Sequence, residues 1–309
     1  MNRLAAFTES HQAKPGRAEP WQRELWSHAP EYGAEFLGTA FLMFCVVGAV
    51  GLMFAPHSPA THFVPSVGLR LFLTGLVLGG AGSLVAVTPL GRLSGAHLNP
   101  AMSLGFFAEG KMHCHDLLAY MTAQMAGAAL GAWGGRFAFS RLAAGVRDAL
   151  NQPGNDATLP LALGAEALAT LALAFVIFEM LSRRSVMRWT PLAVVGVVAL
   201  IVWLDGNYSG ASLNPARSFG PVLVTGIWHL YWIYILGPCS GALVAAALHR
   251  FGARRHANTG KLFHDHRYRS IFTGSCDHEA NQHVREHAGI ASPQRPPLRR
   301  PRPRNAGQI

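Results

Sequence analysis

The chain has 309 residues, half of them hydrophobic and only 14% charged, with a mean hydropathy of +0.22. Soluble domains carry roughly 25% charged residues, so an ordinary soluble fold is excluded and a membrane protein is expected. The formal charge of +10 arises mostly past residue 250, so the body of the chain offers no basic face for specific nucleic-acid binding.

Residues 1–33 hold Pro15, Pro20, Pro30 and eight charged side chains around no apolar core. They fit a polar cytoplasmic segment rather than a cleavable signal peptide. Six apolar stretches follow: Phe36 to Ala55, Leu71 to Leu90, Leu117 to Gly135, Leu159 to Leu181, Trp189 to Leu204 and Ile227 to Leu248. Most approach the roughly 20 residues that cross a bilayer as helix. The fifth is short, and reaches a full span by extending back over Arg188 or forward to Tyr208.

The last segment, 251–309, carries 11 Lys/Arg against 4 Asp/Glu and ends in the Pro- and Arg-rich "RPPLRRPRPR". This composition predicts a disordered, solvated cytoplasmic tail with some attraction for anionic lipid. His264, His266, Cys276, His278, His283 and His287 fall loosely together there, without fixed geometry to hold a metal. The four cysteines, Cys45, Cys114, Cys239 and Cys276, show neither paired nor metal-type spacing. No nucleophile–base set appears either, so no enzyme, metal or cofactor is expected. If the first segment is cytoplasmic, then Arg92 with Lys111, the Arg183-Arg184-Arg188 cluster and the tail share its side, as the positive-inside bias requires. The Arg136–Arg147 loop runs against that bias.

The chain also repeats itself. "SGAHLNPAMS" from Ser94 to Ser103 recurs as "SGASLNPARS" from Ser209 to Ser218, with Asn214 following Asn99 at 214 − 99 = 115 residues. Glu35 and Glu166 each open an apolar stretch with threonine four residues on, at Thr39 and Thr170, and "QMAGAALGA" from Gln124 matches "PCSGALVAA" from Pro238. The repeat halves are 34–150 and 157–250. Each contains three spans, an odd number, so the second half enters the membrane from the opposite side.

Within each phrase, Asn occupies a preferred helix N-cap position, and Pro follows at the first helical position, where its missing N–H costs nothing. Asn99-Pro100-Ala101 and Asn214-Pro215-Ala216 therefore start helices. Residues 101–108 and 216–224 are too short to cross, so each forms a re-entrant half-helix, tolerated at depth only when buried in protein or lining a water-filled cavity. The fold class is an all-α membrane protein of six spans and two re-entrant half-helices from an inverted repeat.

At these residues the chain resembles the major intrinsic protein family, the aquaporins and glycerol facilitators. The resemblance covers about 34–250 and rests on the two Asn-Pro-Ala boxes, on Arg217 directly after the second, on "EFLGTAF" in the first span, and on the Gly-rich third and sixth spans. It implies a right-handed bundle, one pore per subunit, a homotetramer in a cell membrane with both termini cytoplasmic, and passive passage of water and small neutral solutes. Two half-helix N-termini each bring about half a positive charge to the membrane centre, and the amides of Asn99 and Asn214 offer donors to the lumen, which disfavours cations and interrupts a proton wire. Carbonyls of Gly95, Ala96, His97 and of Gly210, Ala211, Ser212 are expected to form acceptor ladders.

In the family, glutamates at the places of Glu35 and Glu166 hold the re-entrant loops, and the outer constriction maps onto Gly79, Val202, Ala211 and Arg217. Small residues at the first two positions predict a passage wider than one water, lined by an arginine suited to polyols, urea or undissociated metalloid hydroxides. Ser218 and Tyr234-Ile235 resemble the nodulin-like branch. The Gly79 assignment depends on a gapless count through "TPLGRL"; a one-residue bulge would bring Leu78 or Gly80 into the ring, Leu78 narrowing it. Gly79-Gly80 would then serve helix packing. His97 is expected to pack the loop and line the pore, and Asp205 to be solvated near the outer mouth. A secondary active transporter and a non-conducting membrane scaffold remain the alternative functions.

Overall fold

The computed structural model describes residues 26–253 together with residue 260. The predicted tail disorder and the tail histidines lie outside the described residues. Ten α-helices follow one another: α1 (Ala29–Phe54), α2 (Pro59–Phe63), α3 (Val67–Val87), α4 (Pro89–Ser94), α5 (Pro100–Ala108), α6 (Cys114–Gly145), α7 (Leu159–Leu181), α8 (Thr190–Asp205), α9 (Pro215–Thr225) and α10 (Ile233–Ala253). Five of the long helices are apolar enough to cross a membrane on their own composition. The sixth, α6, has 32 residues and packs along α1.

Local chemistry sets the boundaries. Ser66 Oγ accepts from Leu69 N at the start of α3, and Thr158 Oγ1 accepts from Leu161 N at the start of α7, where Pro160 sits in the first turn. The chain leaves α3 at Thr88, whose extended backbone (φ −76°, ψ 168°) is what the following Pro89 demands. The second span therefore ends at Val87, not Leu90. The short fifth helix gains a 3₁₀ turn, Met187–Trp189, and so extends backwards over Arg188 as expected. The last span begins at Ile233 rather than Ile227. Gly226, in the left-handed region at φ 73°, ends α9, and residues 227–232 then turn before helix resumes.

The bundle shows the repeat as paired contacts: α1 lies on α6 as α7 lies on α10, α9 lies on α6 as α5 lies on α10, and α3 meets α8. Close approach depends on glycine. A Cβ at Gly127 would stand 2.2 Å from Phe36 O, and one at Gly241, its counterpart, 2.1 Å from Ala167 O. Such small-residue crossings suit a setting where helices gain packing rather than hydrophobic energy from meeting. Outward, Leu37, Phe41, Leu118, Leu130, Leu168, Leu192 and Leu236 are exposed, which a soluble protein would not present over so wide a belt. Exposed Trp203, Tyr208, Trp228 and Trp232 gather near helix ends on one side, as interfacial aromatics do.

Gly241→Leu is expected to force α7 from α10 and to cost about 1–3 kcal/mol or more through overpacking. Melting of the purified variant in detergent, well below the parent, checks this; an unchanged melting temperature would refute the crossing.

Candidate functional site

The two phrases meet at the centre of the bundle. Asn99 caps α5, its Oδ1 accepting from Ala101 N at 2.8 Å, and Asn214 caps α9, accepting from Ala216 N at 2.9 Å and Arg217 N at 3.3 Å. Each caps its own helix while its amide reaches across: Asn99 Nδ2 donates to Leu213 O and Asn214 Nδ2 donates to Leu98 O, both at 2.8 Å. One N–H of each amide is used in this exchange, leaving the other for the lumen. Pro100, Ala101, Pro215 and Ala216, all buried, form the first turns.

The loops that lead into these helices are twisted alike. Gly95 and Gly210 share φ 89°, and Ala96, Leu98, Ala211 and Leu213 all have φ between 46° and 57°. Non-glycine residues rarely adopt that left-handed conformation unless their surroundings enforce it. The enforcing groups are the two glutamates. Glu35 accepts from His97 N (3.0 Å), Leu98 N (2.7 Å), Ser94 Oγ (2.7 Å) and Gln124 Nε2 (2.8 Å). Glu166 accepts from Ser212 N, Leu213 N and Ser209 Oγ, each at 2.8 Å. Both carboxylates are fully buried.

Further members of this framework have contacts that the sequence did not reveal, Tyr234 being noted there only as a mark of the nodulin-like branch. Tyr120 donates to Ser94 O at 2.7 Å and Tyr234 to Ser209 O at 2.8 Å. Both tyrosines lie 114 residues apart (234 − 120), near the offset of the phrases, and extending the repeat comparison would have found them. Asn151 donates to Gly210 O and accepts from Ser218 Oγ, both at 2.8 Å. Asp205 is not simply solvated: its Oδ2 lies 2.6 Å from Ser209 Oγ.

Between the half-helices lies a cavity of about 140 Å³, room for a file of several waters, each taking roughly 30 Å³ in the liquid. Asn99, Asn214, Ala96, His97, Ala211, Ser212, Val202 and Arg217 line it. His97 packs face to face on Phe106 (4.4 Å between centroids), its Nδ1 lies 3.1 Å from Ser103 Oγ, and its Nε2 lies 2.8 Å from Gly260 O. Gly95 borders an adjoining space at this mouth, together with Gly260. Arg217 is buried; its Nη1 donates to Ala149 O at 3.0 Å, and its Nε has no hydrogen-bond partner among the described residues.

Gly79 borders the cavity, and a Cβ there would point at α8, 2.9 Å from Val195 Cα and 3.1 Å from Val198 Cβ. Gly75, one turn away, likewise meets Ala199 and Val202. Gly79 thus lets α3 approach α8 at the cavity wall, and the neighbouring Leu78 also lines the cavity, packed against the cluster of Val202, Ala211 and Leu213. The break at Thr88–Pro89 separates α3 from α4.

The profile of the family described as "Major intrinsic protein" matches residues 23–249. Aquaporin NIP1-1 of Zea mays is 37% identical over 219 residues, covering 69% of this chain and 71% of that protein. Aquaporin AqpM of Methanothermobacter marburgensis is 33% identical over 245 residues, 71% of this chain and 95% of the relative. The crystal structure of the aquaglyceroporin from Plasmodium falciparum superposes with a TM-score of 0.61 at 23% identity, covering 74% of this chain and 98% of that one.

Glu166→Gln replaces a pure acceptor by a group that turns one amide toward the Ser212 and Leu213 N–H donors. Leaving a buried donor unmet costs about 1–3 kcal/mol, so both thermal stability in detergent and water permeability are expected to fall. A variant with unchanged values for both would show that the loop does not need this carboxylate.

Proposed function

We propose, from the premise that this chain belongs to the major intrinsic protein family and is a passive membrane channel for water and small solutes, that its pore runs between the tips of α5 and α9 and admits uncharged molecules while refusing ions and protons. The observation that carries this reading is the reciprocal bonding of Asn99 to Leu213 O and Asn214 to Leu98 O. It holds two helix N-termini against one another beside the cavity. Their partial positive charges and the guanidinium of Arg217 all disfavour a cation in a low-dielectric passage, whereas a neutral molecule loses little. A water at the centre accepts from the remaining amide N–H groups and is turned so that its neighbours cannot pass a proton through it.

The selective ring in this proposal is Leu78, Val202, Ala211 and Arg217. Three apolar walls face one fork of donors, a surface suited to a small solute with an alkyl edge and a hydroxyl edge, such as glycerol, or to urea or a neutral metalloid hydroxide. Leucine in place of glycine makes this ring narrower than the sequence count implied. The repeat halves 34–150 and 157–250 form one channel unit. The termini share the cytoplasmic side on the distribution of Lys and Arg, and the homotetramer follows from the family.

Stopped-flow light scattering on proteoliposomes tests the function. Flux is expected to rise linearly with the osmolyte gradient and to ignore a protonophore; saturable, protonophore-sensitive uptake would instead mark a coupled transporter. Swelling no faster than in empty vesicles would mark a scaffold. Within the ring, Leu78→Trp should lower glycerol permeability about tenfold, a barrier of ~1.4 kcal/mol, and water much less. Equal losses for the two solutes would remove Leu78 from the ring.

A further inference from the structure

Away from the cavity, a second polar cluster stands where α1 begins and α6 begins, on the membrane side that carries the N-terminus. Asp116, in the first turn of α6, is fully buried. Its Oδ1 lies 2.8 Å from His28 Nδ1 and accepts from Tyr32 OH at 2.6 Å; among the described residues its Oδ2 accepts no hydrogen bond, and it lies 3.5 Å from His115 Nε2. The ligand atoms of His28, His115 and Asp116 all fall within 4.8 Å of one another. His113 stacks on His115 with 5.6 Å between ring centroids.

From this geometry we infer a binding site for a divalent transition-metal ion of the zinc class, held by His28, His115 and Asp116, that fastens the start of α1 to the start of α6. Two imidazoles and one carboxylate form the nitrogen–oxygen set that such ions prefer over calcium or magnesium, which take oxygen ligands. Ligands bound to one tetrahedral ion at about 2.0–2.1 Å stand roughly 3.3 Å apart. The His28–Asp116 Oδ1 and His115–Asp116 Oδ2 separations of 2.8 and 3.5 Å lie on either side of that value, and with all ligand atoms within 4.8 Å of one another side-chain rotation brings them onto one ion. Where His28 donates to Asp116 through Nδ1, metal binding replaces that hydrogen bond and the imidazole proton moves to Nε2. Tyr32 keeps its bond to Oδ1 and so orients the carboxylate, as outer hydrogen bonds to metal ligands do. Three protein ligands leave a fourth position for water or for His113.

The site also touches the pore indirectly. Tyr32 lies edge-on to Tyr120 at 5.9 Å, and Tyr120 holds Ser94 O and lies edge-on to His97. An ion that fixes Asp116 and Tyr32 therefore stiffens the base on which the first re-entrant loop rests.

Calorimetric titration of the purified full chain with Zn²⁺, repeated with Co²⁺ for its absorption spectrum, decides the matter. The parent is expected to bind one more tight equivalent than H28Q/H115Q, whose remaining binding reports histidines elsewhere, and Tyr32→Phe should weaken that equivalent about tenfold. The single variant His115→Gln alters a side chain that is 27% exposed and keeps the fold testable if the double variant unfolds; it too should lose the equivalent. Identical stoichiometry and affinity in the parent and in His115→Gln would overturn the site, and a cluster joined by hydrogen bonds alone would remain.

Discussion

Everything at the centre of this molecule rests on backbone N–H groups that have no helix to satisfy them. In a bilayer there is no water to take their place, and an unpaired amide costs several kcal/mol. Two stretches of irregular chain nevertheless penetrate to the middle, and each is met by one buried carboxylate that accepts from two consecutive amides: Glu35 from His97 and Leu98, Glu166 from Ser212 and Leu213. Accepting with both oxygens is what permits left-handed backbone at Ala96, Leu98, Ala211 and Leu213. A charge that would be prohibitive facing lipid becomes the structural anchor of the pore.

From that anchor the remaining geometry follows. With the loops fixed, Asn99 and Asn214 cap their helices and exchange amide hydrogen bonds across the pseudo-symmetry axis, which closes the two halves on each other. Tyr120 and Tyr234 then brace the loops through Ser94 and Ser209, and glycines at 127 and 241 let the outer helices come near enough to support them. The same bonds that stabilise the loops aim two electropositive helix ends at one cavity, so the stability of the fold and the proposed exclusion of charge share a cause.

The periphery is less symmetric. His97 and Ser212 occupy equivalent positions and contact the equivalent serines Ser103 and Ser218, yet only the histidine is long enough to reach onward, to Gly260. Asn151 and Asp205 reinforce the second loop, whereas Gln124 reinforces the first. Duplication supplied the frame, and unlike side chains at matched positions give the two mouths of the channel different chemistry.

The sequence alone determined the number and order of the spans, the inverted repeat and the capping asparagines, because these follow from local rules: apolar length, a phrase written twice, Asn-Pro at a helix start; the role of the two glutamates came from the resemblance to the family. The sequence also offered two ways of lengthening the fifth helix, of which the structure takes the one back over Arg188. Only the tertiary structure decided what depends on how helices rotate against neighbours. The side of α3 that meets the lumen is set by packing on α8 around Gly75 and Gly79, so Leu78 and Gly79 both border the cavity and the side chain there comes from Leu78, a choice the count along the chain left open. His28 and Asp116 come within 2.8 Å across 88 residues of sequence, a proximity that arises only when α1 and α6 lie side by side.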